Sequence, residues 1–165
     1  MNWNLRLTAQ LLAQVHADLD RPHPVAFERV GFLVCRIARG KEDASLLAAD
    51  YLPMADEFYL PSAEMGAVIN ADGIRTAMQM AFRERCSLVH VHRHEHEGSP
   101  GFSDIDRSEN AKLIPSFWHV VPDMPHGALV LSFDRARGRV WDCDDRIDRE
   151  IASICAVGTR IQELV

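Results

Sequence analysis

The chain has 165 residues, 47% hydrophobic and 25% charged, which is the composition of a globular domain with a full core. Its 24 acidic and 18 basic residues give a formal charge of −6, and no lysine- and arginine-rich stripe marks a nucleic-acid-binding face. The N-terminal segment lacks the order of a secretory signal, and no apolar run reaches the about 20 residues of a membrane span. We therefore expect one cytoplasmic domain over residues 1–165 that binds neither nucleic acid nor membrane.

In the first half of the chain, apolar spacing from Leu5 onward predicts a helix with Thr8 as its N-cap, ending by Pro22. A nearly continuous apolar run over 30–38 predicts a buried central strand, followed by a turn at Gly40. Three further strands are expected over 45–53, 58–60 and 65–69.

The second half continues with a helix capped by either Asn70 or Asp72. A later helix is expected to begin at Ser103 and to stop before Pro115. Strands are expected over 87–92, 117–121, 127–134 and 139–142, with a turn at 136–138. The segment 147–165 fits either a helix or a strand. The elements together predict a mixed α and β class.

The four cysteines are widely spaced and form no C-x-x-C pair. Cys35, Cys86 and Cys155 lie within apolar runs, so we expect reduced core residues rather than metal ligands or disulfides.

Four of the eight histidines alternate along one short segment, as His90, His92, His94 and His96. Alternate residues of a strand share a face, so this segment aims several imidazoles at one point. A carboxylate at Asp106, beyond a Gly/Pro turn, could complete the group. Three such ligands with an open fourth position for water make a catalytic zinc site. The residues alone leave the choice among the histidines open.

Three motifs follow one another along the chain. Glu28 precedes the strand that contains Gly31, an H-x-H pair follows in the histidine segment, and Ser103-x-x-Asp106 comes last. In this order they resemble the JAMM metalloproteases of the JAB/MPN family, over roughly residues 5–145. The resemblance implies a single α/β domain with a curved mixed β-sheet flanked by helices.

The ligand pair suggested by the resemblance is His92 and His94, because the apolar Val91 stands before the first of them as in the family. Slipped pairs, His90 with His92 or His94 with His96, stay open. The spacer between His94 and the serine is longer than the family pattern, and Glu95 stands in place of the family's proline.

By position, the resemblance implies that His92, His94 and Asp106 hold Zn²⁺. Glu28 would move a proton from water to the leaving amine. Ser103 would hydrogen-bond the oxyanion of a tetrahedral intermediate. The reaction implied is hydrolysis of an amide or isopeptide bond without a covalent enzyme intermediate. Ser103 and Asp106 also fit a helix capping box, which is compatible with these roles.

The resemblance also implies a substrate, a ubiquitin-like protein or its conjugate cut after the C-terminal glycine. The compact chain is similar to prokaryotic members that act beside an E1-like activating enzyme. An extended substrate tail would add a strand near residues 55–60. Alternatives are processing of a sulfur-carrier protein and a metal-free MPN-type interaction scaffold. A DNA-associated role fits poorly with the acidic charge balance.

Overall fold

The structure is a computed structural model that describes residues 1–62 and 66–165. The described residues contain both strands and helices, which confirms the mixed α and β class. In chain order the elements are β1 (Asn2–Thr8), α1 (Ala9–Leu19), β2 (Val30–Arg39), β3 (Asp43–Pro53), α2 (Ala71–Glu84), β4 (Ser87–Arg93), α3 (Asp104–Trp118), β5 (His126–Leu131), β6 (Ala136–Trp141), β7 (Asp148–Val157) and β8 (Ile161–Glu163).

The strands form one sheet that closes on itself. Its order is β1-β3-β2-β4-β5-β6-β7, and β1 pairs with β7 as well as with β3, so seven strands form a ring. Pairings β1–β3, β1–β7 and β4–β5 are parallel and the others antiparallel. The closed barrel differs from the expected curved sheet flanked by helices. The reason lies in β1 (Asn2–Thr8), because our prediction used Leu5 and Leu7 only as part of the helical spacing and expected no strand before Thr8.

The two faces of β2 and β4 pack against different helices. Leu33 and Val91 belong to the core that includes the apolar face of α1. Phe32 and Leu88 point the other way, into the core formed with α2 and α3. Both strands are therefore buried on both sides, which explains their nearly continuous apolar sequences. His90 and His92 follow Leu88 in the alternation and share its face, beneath α3.

Two predicted helix starts are confirmed. The Thr8 side chain accepts a hydrogen bond from the Leu11 N–H at 3.0 Å. Asn70, rather than Asp72, caps α2, because its Oδ1 accepts from the N–H groups of Asp72 (3.0 Å) and Gly73 (2.9 Å). These bonds satisfy donors that a helix N-terminus otherwise leaves free.

The predicted strand over 58–60 is wrong. The chain instead makes a short 3₁₀ turn at Asp56–Phe58 and then a single bridge between Tyr59 and Ile69. The Leu60 N–H donates to the Val68 carbonyl at 2.8 Å, so one side of this segment is already paired with residues 68–70. Of the predicted strand over 65–69, Met65 lies outside the described residues, and 66–69 holds only that bridge.

Later boundaries also differ from the predictions. α3 continues through Pro115 to Trp118, because a proline removes one hydrogen bond but the buried Phe117 and Trp118 keep the last turn packed. No strand therefore forms over 117–121. The turn before β6 lies at 132–135, where the Ser132 N–H donates to the Arg135 carbonyl at 2.8 Å. The ambiguous C-terminal segment forms β7 and β8.

All four cysteines are free, and Cys35, Cys86 and Cys155 are buried as expected. Among the helices of the described residues, none has the length and apolar character to cross a membrane.

Candidate metal centre

The end of β4 brings two histidines to one point. His92 is 2% exposed, on the face of β4 that lies under α3. His94 follows the end of the strand, where its N–H donates to the Leu131 carbonyl of β5 at 2.9 Å. The backbone of both residues is therefore fixed by sheet hydrogen bonds.

The first turn of α3 supplies the carboxylate. The Ser103 Oγ accepts from the Asp106 N–H at 3.1 Å, and the Asp106 Oδ2 accepts from the Ser103 N–H (2.7 Å) and hydroxyl (2.8 Å). The predicted capping box is thus present. The same bonds that start the helix hold the Asp106 carboxylate beside the histidines.

The three donor groups form a small triangle. His92 Nε2 lies 3.3 Å from His94 Nε2 and 3.4 Å from Asp106 Oδ1. His94 Nε2 lies 3.8 Å from Asp106 Oδ2. Zinc bonds of about 2.0–2.1 Å in a tetrahedron place two ligand atoms about 3.4 Å apart. The triangle therefore fits a single tetrahedral ion with one position left open.

The slipped pairs are not assembled in this way. His90 Nδ1 lies 3.1 Å from the Asn110 Oδ1, and His96 Nδ1 lies 2.8 Å from the Glu97 carbonyl. Among residues 1–62 and 66–165, the possible metal-binding group that includes histidines consists of His92, His94 and Asp106. His90 and His96 are not part of it.

The pKa shifts of Asp106 and His94 favour the forms of these two groups that bind a metal. Partial burial opposes ionisation of Asp106, but the hydrogen bond and charge of His92 and the hydrogen bonds from Ser103 hold the pKa of its carboxyl well below the usual range. Burial, and then the neighbouring His92, lower the pKa of His94. A carboxylate and a neutral imidazole are the forms that ligate a metal.

Glu28 lies beside the triangle on the loop before β2. Glu28 lines the same cavity as the three donors. The negative charge of its carboxylate partly offsets the lowering of the His94 pKa. The N–H groups of Phe27 and Glu28 both donate to the Gly66 carbonyl, at 2.9 and 3.0 Å. The structure thus brings together all five residues that the sequence singled out.

A buried arginine, which our sequence reasoning missed, holds the loop that carries Glu28. Arg29 donates to the carbonyls of Arg21 (2.7 Å) and Pro22 (2.9 Å) and to the Asp56 carboxylate (2.8 Å). A charged residue just before a strand ordinarily indicates solvent exposure, so the sequence carried no signal for this role.

A cavity of about 480 Å³ opens from the triangle along α3. Phe32 and His90 form part of its floor, segment 66–69 forms one wall, and α3 forms the other. Along α3 the lining extends from Asp106 to Ser116, about 15 Å at the helical rise. An extended peptide of about four residues has this length.

His90 is a polar group on this largely apolar floor. Its partner Asn110 is 2% exposed and accepts through its amide oxygen, so the proton of His90 lies on Nδ1. Burial lowers the pKa of His90 to about 4. Sequence reasoning treated His90 as a neighbour of the ligands and missed its link to α3.

A second group of possible ligands, Asp142, Cys143 and Asp144, lies away from this cavity. Asp142 is already bound to Arg39 at 3.0 Å, and Asp144 lies 3.6 Å from the same guanidinium. The group therefore serves an ion-pair network.

No protein-family profile and no curated protein matches the chain. Among solved structures, the N-terminal domain of STIL from Trichoplax adhaerens is similar, with 12% identity and a TM-score of 0.42. The match covers 84% of this chain and 41% of that one, so the chain spans less than half the length of that structure. A similarity at this level carries no argument about activity.

Proposed function

We propose that the chain is a zinc-dependent peptidase or isopeptidase that cuts after the C-terminal glycine of a ubiquitin-like protein. The observation that carries the proposal is the triangle of His92, His94 and Asp106, with Glu28 beside it and a cavity leading away from it. Fold class alone would not support it, because one fold hosts many activities.

Zinc would be held by the two Nε2 atoms and the Asp106 carboxylate, whose separations suit a tetrahedral ion. When bound, zinc supplies Lewis acidity, lowering the pKa of a coordinated water and polarising a carbonyl. The remaining chemistry belongs to side chains of this chain.

Glu28 is the proton carrier in this proposal. A carboxylate next to the metal ligands, and not itself needed as a ligand, is suited to take a proton from the attacking water and to deliver it to the leaving amine. The proposal is supported by its position, since Glu28 lines the same cavity as His92, His94 and Asp106.

Ser103 has two possible partners for one proton. In the described geometry its hydroxyl donates to the Asp106 Oδ2 at 2.8 Å. To stabilise an oxyanion, the hydroxyl must rotate away from Asp106 when a substrate enters. Ser103 therefore acts first as the residue that orients Asp106.

The substrate class rests on the JAMM resemblance and on the shape of the cavity. The Val68 carbonyl accepts from Leu60 and the Asn70 N–H donates to Phe58, so the backbone groups of Ile69, which lies between them, point away from residues 58–60. An extended tail of about four residues could pair there while lying along α3. The sequence alone suggested a strand near residues 55–60, and the lining of the cavity leads us to propose segment 66–69.

A prokaryotic pathway with an E1-like activating enzyme and a cytoplasmic location belong to the same proposal and rest on the sequence. Processing of a sulfur-carrier protein is the related alternative, since it uses the same bond and the same site.

The test combines metal analysis with cleavage of a linear ubiquitin-like fusion. Asp106→Ala should lose stoichiometric zinc, whereas Asp104→Ala, an exposed acid in the same turn, should keep it. Glu28→Ala should keep zinc and lose cleavage, and the exposed Glu42→Ala should change neither. A parent protein that binds no zinc would instead support the metal-free scaffold, and a Glu28→Ala variant as fast as the parent would refute the mechanism.

A further inference from the structure

Gly66 and Glu28 lie in contact where both line the cavity. Its carbonyl receives the N–H groups of both Phe27 and Glu28, so it fixes the backbone on which the Glu28 side chain stands. Gly66 therefore contacts both the main chain and the side chain of Glu28, the proposed proton carrier.

The Glu28 carboxylate occupies the space that a side chain at position 66 would need. A Cβ at this position would lie 2.5 Å from both Cδ and Oε1 of Glu28 and 2.9 Å from its Cγ. The backbone of Gly66 is not in the left-handed region, so an alanine could adopt it. Space, and not backbone freedom, is therefore what glycine provides here.

We propose that Gly66 is a positioning residue that sets the place of the Glu28 carboxylate beside the metal centre. The inference rests on the proposed function. The Glu28 backbone cannot retreat, because Arg29 ties the loop to Arg21, Pro22 and Asp56. A methyl group at Gly66 would therefore displace the flexible end of the Glu28 side chain by about 1 Å, the shift needed to restore ordinary contact.

The effect on fold and on rate should differ sharply. Moving the end of a flexible side chain costs little stability, whereas a catalytic group misplaced by about 1 Å can lower a rate by about 10²-fold. We expect zinc-loaded Gly66→Ala to keep parental zinc content, thermal midpoint and KM while kcat falls about 10- to 100-fold. A crystal structure of the zinc-loaded variant should show the Glu28 carboxylate displaced.

A double-mutant cycle tests whether the effect passes through Glu28. In a Glu28→Ala background, measured with enzyme in excess over the fusion substrate, Gly66→Ala should cause no further loss of rate. An equal loss in both backgrounds would overturn the inference. Gly101→Ala is the matched control, since a Cβ there meets no atom within 4 Å.

The remaining outcomes are also decisive. If the parent cleaves and Gly66→Ala has the parental kcat, the inference is wrong and the proposed function stands. Loss of zinc, loss of fold or an unmoved Glu28 carboxylate in the variant would likewise overturn the inference alone. If the zinc-loaded parent cleaves none of the ubiquitin-like fusions, the proposed function is refuted and the inference with it.

Discussion

Ser103 joins the start of a helix to the metal centre. Its Oγ accepts from the Asp106 N–H and its hydroxyl donates to the Asp106 carboxylate, so one side chain both caps α3 and orients a ligand. Groups that hydrogen-bond a metal ligand typically change metal affinity about 10- to 100-fold when removed. Because Ser103 has both roles, its substitution should change both the stability of the fold and the affinity for zinc, and the two can be measured separately.

We expect Ser103→Ala to lower the free energy of unfolding of the metal-free protein by about 1 kcal/mol, the value of a lost N-cap. Zinc affinity should fall about 10-fold or more, because Asp106 loses the hydroxyl that orients it. Urea unfolding and zinc competition with a chelator measure the two effects. Ser108→Ala, at an exposed position of the same helix, is the control. An unchanged zinc affinity would mean that Ser103 serves the helix and the reaction but not the ligand.

His90 provides a direct check of the ligand assignment. Its ring is tied to Asn110 and is not in the triangle, so His90→Phe should retain stoichiometric zinc. Asn110→Leu should lower the free energy of unfolding by about 1–3 kcal/mol, because it leaves the buried Nδ1–H of His90 unpaired.

The double variant His90→Phe/Asn110→Leu should recover most of that loss, since neither partner then stays unsatisfied. Metal analysis and urea unfolding measure these outcomes. Loss of zinc from His90→Phe would identify His90 and His92 as the ligand pair.

Among the elements, those fixed by local chemistry were predictable and those fixed by distant contacts were not. The helix caps at Thr8 and Asn70 and the doubly buried strand β2 follow from short-range patterns. β1 was missed because Leu5 and Leu7 fit both a helical and a strand period, and only pairing with β3 and β7 decides between them.

The same distinction applies to the site. His92, His94 and Asp106 lie within one strand and the next helix start, so their spacing was enough to predict that they could meet. Gly66 and Arg29 act through contacts between loops, with Glu28 and with Asp56. Neither the residue type nor the spacing along the chain predicts such contacts between loops.

The loop clamp can be tested as an element. Arg29→Met should lower the free energy of unfolding by about 1–2 kcal/mol, because it removes the guanidinium that donates to two carbonyls and a carboxylate. Amide hydrogen exchange over residues 20–29 should accelerate more than elsewhere. Arg36→Met, which breaks exposed contacts with the carboxylate and the carbonyl of Glu84, should cost less than about 1 kcal/mol. Unchanged exchange in the loop would show that Arg29 does not hold it.

At the scale of the whole molecule, His126 links three elements of the fold. It begins β5, its Nδ1 accepts from the Leu88 N–H of β4 at 3.1 Å, and its ring lies 5.2 Å from that of Phe117 in α3. Burial lowers its pKa from 6.5 to about 4. The unfolded chain therefore binds this proton more readily than the folded protein between these two values.

The sign of the pH dependence follows from that difference. The contribution of neutral His126 to stability is complete above about pH 6.5 and is lost as the pH falls toward 4, with a total of about 3 kcal/mol. In metal-free protein, urea unfolding between these limits should show a stability that rises with pH. His126→Gln should flatten this rise, whereas His119→Gln, at an exposed position, should leave it unchanged. A His126→Gln profile parallel to that of the parent would show that the proton is bound equally in both states, and that the link between β4, β5 and α3 does not depend on a neutral imidazole.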